Sequence, residues 1–350
     1  MTFFRMLPCI FDSRYCTTAA HTISTTKQVE VVRAALHEEL LDLRPWTFNE
    51  ARAWADVERA HEPAYVQAVR SGRPRSLAES QGFTWSPAFA GSVARIWAGH
   101  VYACRLALAE GIVFHPVSGA HHARRGHGAG FCTFNFLVGA GLAMLDDRRV
   151  GRVAIVDLDA HQGDGTRALV GDDPRFGLFD IAGEDWMGEA EGDRATLSVV
   201  RSAERYMAAL SRLPEFLDRF EPGLVQYQAG MDCHEHDPVA GIAGVDAAFL
   251  ARRDRFVIGE VARRGIPLVV NLAGGYQSDG TTVALHVETA RIAAEAYCGL
   301  ADDRCSLRSA RLTPHGLAPN PGTGRYGGLD MDLACHTPRL PCRHEPPNHR

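Results

Sequence analysis

Lysine is almost absent from this chain of 350 residues: lysine and arginine together number 37, and all of them except Lys27 are arginine. We attribute this imbalance to the codon usage of a GC-rich genome and infer no partner from it. The formal net charge of −5 also leaves no broad basic surface. Binding to nucleic acid through its phosphate backbone is therefore not expected.

Long apolar runs and paired cysteine motifs are missing as well. No segment reaches the roughly 18 uncharged apolar residues of a membrane span, and the first residues hold no uninterrupted apolar core of signal-peptide length. The nine cysteines are odd in number and show no CxxC spacing, so we expect reduced thiols. These absences predict a cytoplasmic protein that does not bind membranes.

Short apolar runs alternate along the chain with stretches of helical apolar spacing. Buried strands are predicted at Gly111–Pro116, Arg152–Asp157, Phe176–Ile181, Leu224–Gln228 and Pro267–Leu272. Helices are predicted at Thr25–Leu41, Ser92–Glu110, Asn135–Leu145, Met207–Phe220, Val245–Arg264 and His286–Leu300. This alternation predicts an α/β fold: a single domain over residues 1–300, with a mostly parallel sheet between two helical layers.

Residues 301–350 differ in composition from the rest of the chain. Seven of the 18 prolines fall here, and the apolar periodicity stops. We expect a disordered tail rich in proline and arginine. Its Cys335, His336, Cys342 and His344 do not have the spacing of a common zinc module.

Four polar segments directly follow predicted strands. They are SGAHHARRGHGAGFC at 118–132, DLDAHQGDG at 157–165, QAGMDCHEHDP at 228–238 and NLAGGYQ at 271–277. In an open α/β sheet, ligands bind outside the carboxyl ends of the strands. We therefore expect the side chains of these segments to meet in one crevice.

A divalent metal site is predicted in this crevice. Asp157, Asp159 and His161 alternate, so strand periodicity places them on one side of the chain. Two of them, Asp159 and His161, supply a carboxylate and an imidazole, and Asp232 after another strand supplies the third ligand. Such a set leaves coordination positions for water and for a substrate carbonyl. The ligand types alone do not select zinc over iron, manganese or cobalt.

Acid–base groups accompany these ligands. Adjacent histidines such as His121 and His122 are more often structural than catalytic, but here Asp157 and Asp164 are available to orient one imidazole each. Tyr276 is placed to present a phenol to a developing oxyanion.

The four segments carry a family resemblance. HHARRGHGAGFCTFN, DLDAHQGDGT, GMDCHEHDP and LAGGYQ resemble, in this order, the four motif blocks of the histone deacetylase family in the arginase/deacetylase superfamily. Weaker features are HTISTTK at 21–27 and AHEPAYVQAV around His61, so that the resemblance spans about residues 7–300. The DLDAHQG stretch is most similar to the class IV branch, and the family also includes prokaryotic deacetylase-like proteins.

The resemblance implies an arginase/deacetylase-like fold and an enzyme that hydrolyses an acyl amide with one zinc ion per chain. Its zinc ligands would be Asp159, His161 and Asp232. His122 would act as general base and then acid, and His121 as its electrostatic partner. The implied supporting residues are Asp157 beside His121, Asp164 beside His122, and Tyr276, which polarises the scissile carbonyl.

Further expectations also come from the resemblance. Gly130 and Phe131 match the lining of a narrow acyl-lysine channel. A monovalent cation such as K⁺ is implied near the Asp157 loop, with help from Asp180 and Ile181. The implied substrate is an acyl-lysine protein or peptide, or an acylated polyamine or small amine. The acyl length, the amine and the oligomeric state stay open.

Three positions depart from the family pattern. Gln162 replaces a second histidine of class I relatives and is not expected to act as a spare base. Glu79 is the only acidic candidate ahead of the histidine pair for gripping substrate backbone, and we do not assign it that role. Ala182 falls where many relatives have histidine.

Two other functions fit part of the pattern. An arginase-like ureohydrolase would need more bridging carboxylates, because its two metal ions lie about 3.5–4 Å apart. A metal-containing binding protein with weak or no turnover would have no use for the histidine pair and Tyr276.

Overall fold

The computed structural model describes residues 5–16 and 23–310. Within this part of the chain the strands are β1 (Leu7–Cys9), β2 (Leu41–Leu43), β3 (Ile112–Phe114), β4 (Val153–Asp157), β5 (Phe176–Ala182), β6 (Ala190–Glu191), β7 (Ala195–Val199), β8 (Leu224–Gln228) and β9 (Leu268–Asn271). They form one sheet in the order β2-β1-β3-β9-β8-β4-β5-β7-β6. All neighbours pair in parallel except β6 and β7.

Helices cover both faces of this sheet. They are α1 (Ile23–His37), α2 (Glu50–Val57), α3 (Pro63–Ser71), α4 (Arg75–Ala78), α5 (Pro87–Glu110), α6 (Phe136–Asp146), α7 (Asp164–Val170), α8 (Ala203–Leu210), α9 (Leu213–Phe220), α10 (Ala247–Arg263) and α11 (Thr281–Ala310).

Strand alternation divides the core into two apolar layers. Successive residues of a strand point to opposite faces. In β4, Ala154 and Val156 pack in the cluster that includes α1 and α8 to α11. Val153 and Ile155 pack in the other cluster, with α2, α3, α5 and α6. The predicted three-layer α/β/α fold with a mostly parallel sheet is confirmed.

The five predicted strands all occur, and their ends differ from the prediction by up to two residues. Four strands were not predicted: β1 and β2 at one side of the sheet and β6 and β7 at the other. Three of them have only two or three residues, and the sequence of β7, ATLSV, mixes polar with apolar residues, so none shows a continuous apolar run. The single helix predicted at Met207–Phe220 is wrong. The chain breaks after Leu210, and Pro214 lies in the first turn of α9, where its missing N–H needs no partner.

The helix predicted at Thr25–Leu41 also ends earlier than expected, at His37, and Leu41 begins β2. At the other end of the chain, α11 continues to Ala310, ten residues into the predicted tail. The rest of that tail, with its cysteines and histidines, lies outside the described residues, as do His21 and Thr22 of the N-terminal motif. None of the described helices has the length and apolar character needed to cross a membrane.

A fully buried arginine joins two of the loops at the carboxyl edge of the sheet. Arg253 of α10 pairs with Asp254, with Nε 2.9 Å from Oδ1. Its Nη1 donates to the carbonyl oxygens of Leu158, at 3.3 Å, and Gly230, at 2.6 Å. Leu158 follows β4 and Gly230 follows β8. One guanidinium therefore connects the segments that carry the predicted metal ligands.

We expect Arg253→Met to lower the free energy of unfolding by about 3–5 kcal/mol, because Asp254 would stay buried without its counter-charge. Urea denaturation followed by circular dichroism measures this loss. Arg255→Met, two residues along the same helix, removes a half-exposed side chain and should change stability by no more than about 0.5 kcal/mol. Equal losses in the two variants would contradict the role given to Arg253.

Candidate active site

The four polar segments meet at the carboxyl edge of the sheet, as predicted. Asp157, Gln228 and Asn271 are the last residues of three adjacent strands and lie level with one another in the register. The loops that follow these residues therefore start side by side. The segment at 118–132 joins them after β3, on the far side of β9.

Asp159, His161 and Asp232 come together in this crevice. One ligand atom of each lies within 4.8 Å of the others. The His161 Nδ1 is 3.0 Å from Oδ1 of Asp159 and 3.0 Å from Oδ2 of Asp232. Both carboxylates are buried. Within the described residues, this is the one such group whose geometry suits a metal ion.

Backbone amides hold the two carboxylates in place. The Ala160 N–H donates to Oδ1 of Asp232 at 2.9 Å, and the Gly274 N–H donates to Oδ2 of Asp159 at 2.8 Å. A side chain at position 274 is excluded, since a Cβ there would lie 2.2 Å from Oδ2 of Asp232. The carboxylates are thus fixed by the main chain of the loops after β4 and β9.

The donor set fits a divalent cation. Burial and the neighbouring Asp159 raise the pKa of Asp232 to about 7, because two carboxylates so close together resist carrying two negative charges. A bound cation removes this repulsion. Two carboxylate oxygens and one imidazole nitrogen are ligands that zinc accepts in catalytic sites.

The two adjacent histidines differ in their carboxylate partners and in the direction of their pKa shifts. The His121 Nδ1 lies 3.0 Å from Oδ2 of Asp157. Burial opposes its charge, yet Asp157 and Asp159 together raise the pKa of His121 to about 10. The His122 Nδ1 lies 2.7 Å from Oδ1 of Asp164. Burial and the positive His121 lower the pKa of His122, which leaves a neutral imidazole able to accept a proton.

Tyr276 faces the same space. A cavity of about 370 Å³, part of it open to solvent, is lined by His121, Asp159 and Tyr276. The Tyr276 N–H donates to Oδ2 of Asp237 at 2.8 Å, which orients the main chain. Burial, together with the nearby Asp232, raises the pKa of the phenol far above its ordinary value. Its hydroxyl therefore remains a hydrogen-bond donor.

The single lysine of the chain lies behind this tyrosine. Lys27 is buried, and its Nζ donates to the carbonyl oxygens of Ala273, at 2.7 Å, and Gly275, at 3.3 Å. Burial lowers the pKa of Lys27 to about 8. Sequence reasoning attributed the scarcity of lysine to codon usage and missed this position. The available signal was that Lys27 is the one lysine in a chain whose other basic residues, apart from histidine, are all arginine.

Gly130 and Phe131 form another wall of the cavity. Both have positive φ, at 49° and 63°, a conformation that is costly for phenylalanine. A Cβ at Gly130 would lie 2.4 Å from the His122 ring, so this glycine permits the close approach. The Phe131 N–H donates to Gln81 O at 3.0 Å, and its ring stacks on Phe83.

A larger and mostly apolar cavity adjoins the first. It encloses about 520 Å³, part of it open to solvent, and shares Ser118, Gly119 and Phe131 with the metal-side cavity. Its apolar lining consists mainly of Phe83, Phe89, Val93, Ile96, Trp97, Phe134 and Phe136. The sequence did not predict this space, because its walls come from α5 and from two separate loops.

Glu79 and Gln162, two of the positions that depart from the family pattern, both bond the backbone of nearby loops. Glu79 accepts hydrogen bonds from Trp85 N, at 2.7 Å, and from Arg75, at 2.9 Å, so it fastens its own loop. Gln162 is buried, and its side chain bonds the backbone of residues 186–188. Trp186, which was not predicted, lies with its ring centroid 5.4 Å from the rings of both His122 and His161.

The sequence and the fold are similar to those of known proteins. The sequence model of the histone deacetylase domain matches residues 21–292. An uncharacterized protein of Picosynechococcus is 32% identical over 230 residues, which cover 64% of this chain and 76% of that protein. Histone deacetylase 2 of Arabidopsis thaliana is 31% identical over 53% of this chain, and a probable deacetylase of Archaeoglobus fulgidus is 29% identical over 46%. The matches span about half of these two proteins, 49% and 48%.

Among solved structures, the HD domain of HDA15 is similar in fold, with a TM-score of 0.67 and 18% sequence identity. The superposition covers 84% of this chain and 90% of that one. The sheet order, the four motif segments and the sequence match agree with one another. The chain belongs to the histone deacetylase family.

Proposed function

We propose that this protein is a zinc-dependent hydrolase that removes an acyl group from a lysine side chain or a related amine. One observation carries the proposal: two imidazoles, each paired with a carboxylate, and a phenol surround a set of two carboxylates and one imidazole that could hold a metal ion. Membership of the histone deacetylase family supports deacylation in general.

Asp159, His161 and Asp232 would hold the zinc ion, which, when bound, polarises the acyl carbonyl and lowers the pKa of a bound water. The Nδ1 of His122 is occupied by Asp164, so its Nε2 is the atom that takes a proton from the attacking water. The same atom then gives the proton to the departing amine. Protonated His121 stabilises the negative charge that develops beside it.

Tyr276 donates a hydrogen bond to the carbonyl oxygen as its negative charge grows. Lys27 holds the main chain just before the tyrosine and Asp237 accepts from its own N–H, so the phenol needs little reorganisation during the reaction. A structural metal site would have no use for this phenol or for the two differently charged imidazoles. These groups favour an enzyme over a binding protein.

A two-metal ureohydrolase is less well supported. Its two metal ions would lie about 3.5–4 Å apart and need carboxylates that bridge them. In the described residues one group of three potential ligands comes together. A nearby carboxylate, Asp157, is instead engaged by His121.

A monovalent cation such as K⁺ is proposed at a separate acidic position. Asp157 and Asp180 are register partners on β4 and β5 and are both buried. Burial and Asp157 raise the pKa of Asp180 well above its ordinary value. A cation beside these carboxylates would relieve their repulsion.

The apolar cavity favours the proposal that the substrates carry acyl groups longer than acetyl. It begins at Ser118 and Gly119, beside the space where the carbonyl would be attacked, and extends toward Trp97 and Phe136. Burying methylene groups there is favourable by about 0.8 kcal/mol each. An extended acyl tail therefore has a place to lie, whereas an acetyl group would leave most of the cavity unfilled.

We expect Tyr276→Phe to lower kcat on an acyl-lysine peptide about 100- to 1,000-fold with little change in KM, because the lost hydrogen bond acts on charge formed in the transition state. Steady-state kinetics measures both constants. Tyr102→Phe, at a half-buried tyrosine on α5, serves as the matched control and should behave as wild type. Full activity of Tyr276→Phe would remove Tyr276 from the mechanism.

Chelator treatment should abolish turnover, and added zinc should restore it. Elemental analysis is expected to find one zinc ion per chain, and Asp232→Asn should reduce that content, because it removes an anionic ligand. Asp279→Asn, at an exposed position, controls for the loss of an aspartate. Two tightly held manganese ions per chain would favour the ureohydrolase.

Wild-type protein should hydrolyse an octanoyl-lysine peptide at least as efficiently as an acetyl-lysine peptide. Val93→Phe fills part of the apolar cavity and should lower kcat/KM for the octanoyl substrate about tenfold while sparing the acetyl one. Val239→Phe makes the same change at an exposed site. Parallel losses on both substrates would show that the cavity does not hold the acyl tail.

A further inference from the structure

Gln162 bonds its neighbouring loop through every polar atom of its side chain. Its Oε1 accepts from the N–H of Trp186, at 2.7 Å, and from the N–H of Met187, at 2.8 Å. Its Nε2 donates to the carbonyl oxygen of Gly188 at 3.2 Å. The glutamine side chain is buried, whereas Trp186 is 51% exposed. A buried amide therefore holds a turn that is otherwise on the surface.

This turn places an indole over the site. The Trp186 ring is tilted by 40° to the His122 ring and by 36° to the His161 ring, with centroids 5.4 Å apart in each case. One of these imidazoles belongs to the proposed metal set and the other is the proposed base. The indole covers both on the side where the loop lies, and little of either histidine side chain stays exposed.

Glutamine is suited to this task in a way that histidine is not. An amide oxygen has two lone pairs and accepts from two neighbouring N–H groups, while the amide nitrogen donates to the following carbonyl. A neutral imidazole offers one acceptor and one donor, so it would leave one of the two N–H groups without a partner. The departure from the class I pattern at position 162 thus comes with a specific hydrogen-bonding function.

We propose that Gln162 is a positioning residue that holds Trp186 as a wall of the substrate entrance and thereby selects slender, unbranched amine arms. The inference rests on the proposed acyl-amine hydrolysis. Trp186 excludes branched amines by its bulk and contributes contact area to an unbranched alkyl arm. These contacts are equal in the ground state and the transition state, so they affect KM more than kcat.

The first test measures the hydrogen bonds themselves. Gln162→Met keeps the length and volume of the side chain and removes all three bonds. Hydrogen exchange followed by mass spectrometry should show about tenfold faster exchange in the peptide that contains Trp186 and Met187. Gln67→Met, at an exposed position on α3, is the matched control. Unchanged protection in Gln162→Met would overturn the proposal.

The second test measures how well the enzyme distinguishes unbranched from branched amines. On an acetyl-lysine peptide, Gln162→Met and Trp186→Ala should each raise KM about tenfold and change kcat by less than about twofold. In both variants the ratio of kcat/KM for acetylated n-butylamine to kcat/KM for acetylated sec-butylamine should be smaller than in the wild-type protein. The double variant should match Trp186→Ala, because Gln162 acts through the indole. Trp186→Phe retains a flat ring and should keep most of the preference.

Three other results would contradict either the role of Gln162 or the proposed function. A lower metal content in Gln162→Met, with a fall in kcat, would mean that Gln162 acts on His161 rather than on Trp186. Additive losses in the double variant would likewise contradict the proposal. If the wild-type protein hydrolyses no acylated amine, the proposed function fails, and with it the selection; the exchange measurement still shows whether Gln162 holds the turn.

Discussion

Asp159 and Asp232 are two buried carboxylates that point at the same imidazole, and the arrangement of the site depends on keeping them there. Burial, together with their mutual repulsion, raises the pKa of Asp232 to about 7. Backbone N–H groups after β4 and β9 hold one oxygen of each, and Arg253 joins the loops that carry them. These bonds keep the two carboxylates in the positions where they could bind a cation, and binding would add to the stability of the folded state.

The buried carboxylates also affect the two adjacent histidines differently. Asp157 and Asp159 raise the pKa of His121, whereas burial and the neighbouring His121 lower the pKa of His122. Two identical side chains, adjacent in sequence, therefore differ in their affinity for a proton, which is the basis of the separate roles proposed for them. Aromatic residues surround these histidines: Phe131 lines both cavities, and the Trp186 ring lies 5.4 Å from the rings of His122 and His161.

Most of the fold and the chemical groups of the site were predictable from local patterns. Five strands were recognised because each lies in an apolar run of five or six residues, and polar residues at their ends predicted a crevice at one edge of the sheet. Strands β1, β2, β6 and β7 and the break between α8 and α9 were missed. Their conformations depend on partners distant in sequence or on a single proline whose effect the apolar period hides.

By itself, the sequence determined the layered fold, the family and the residues that converge on the candidate metal site, because parallel strands bring the loops that follow them to one edge. The tertiary structure alone decided what these residues contact. It put Lys27 behind Tyr276, opened an apolar cavity beside Gly119 and aimed Gln162 at the backbone of Trp186. Each of these features depends on long-range contacts between segments whose separation in the chain conceals their proximity, and no local period encodes such contacts.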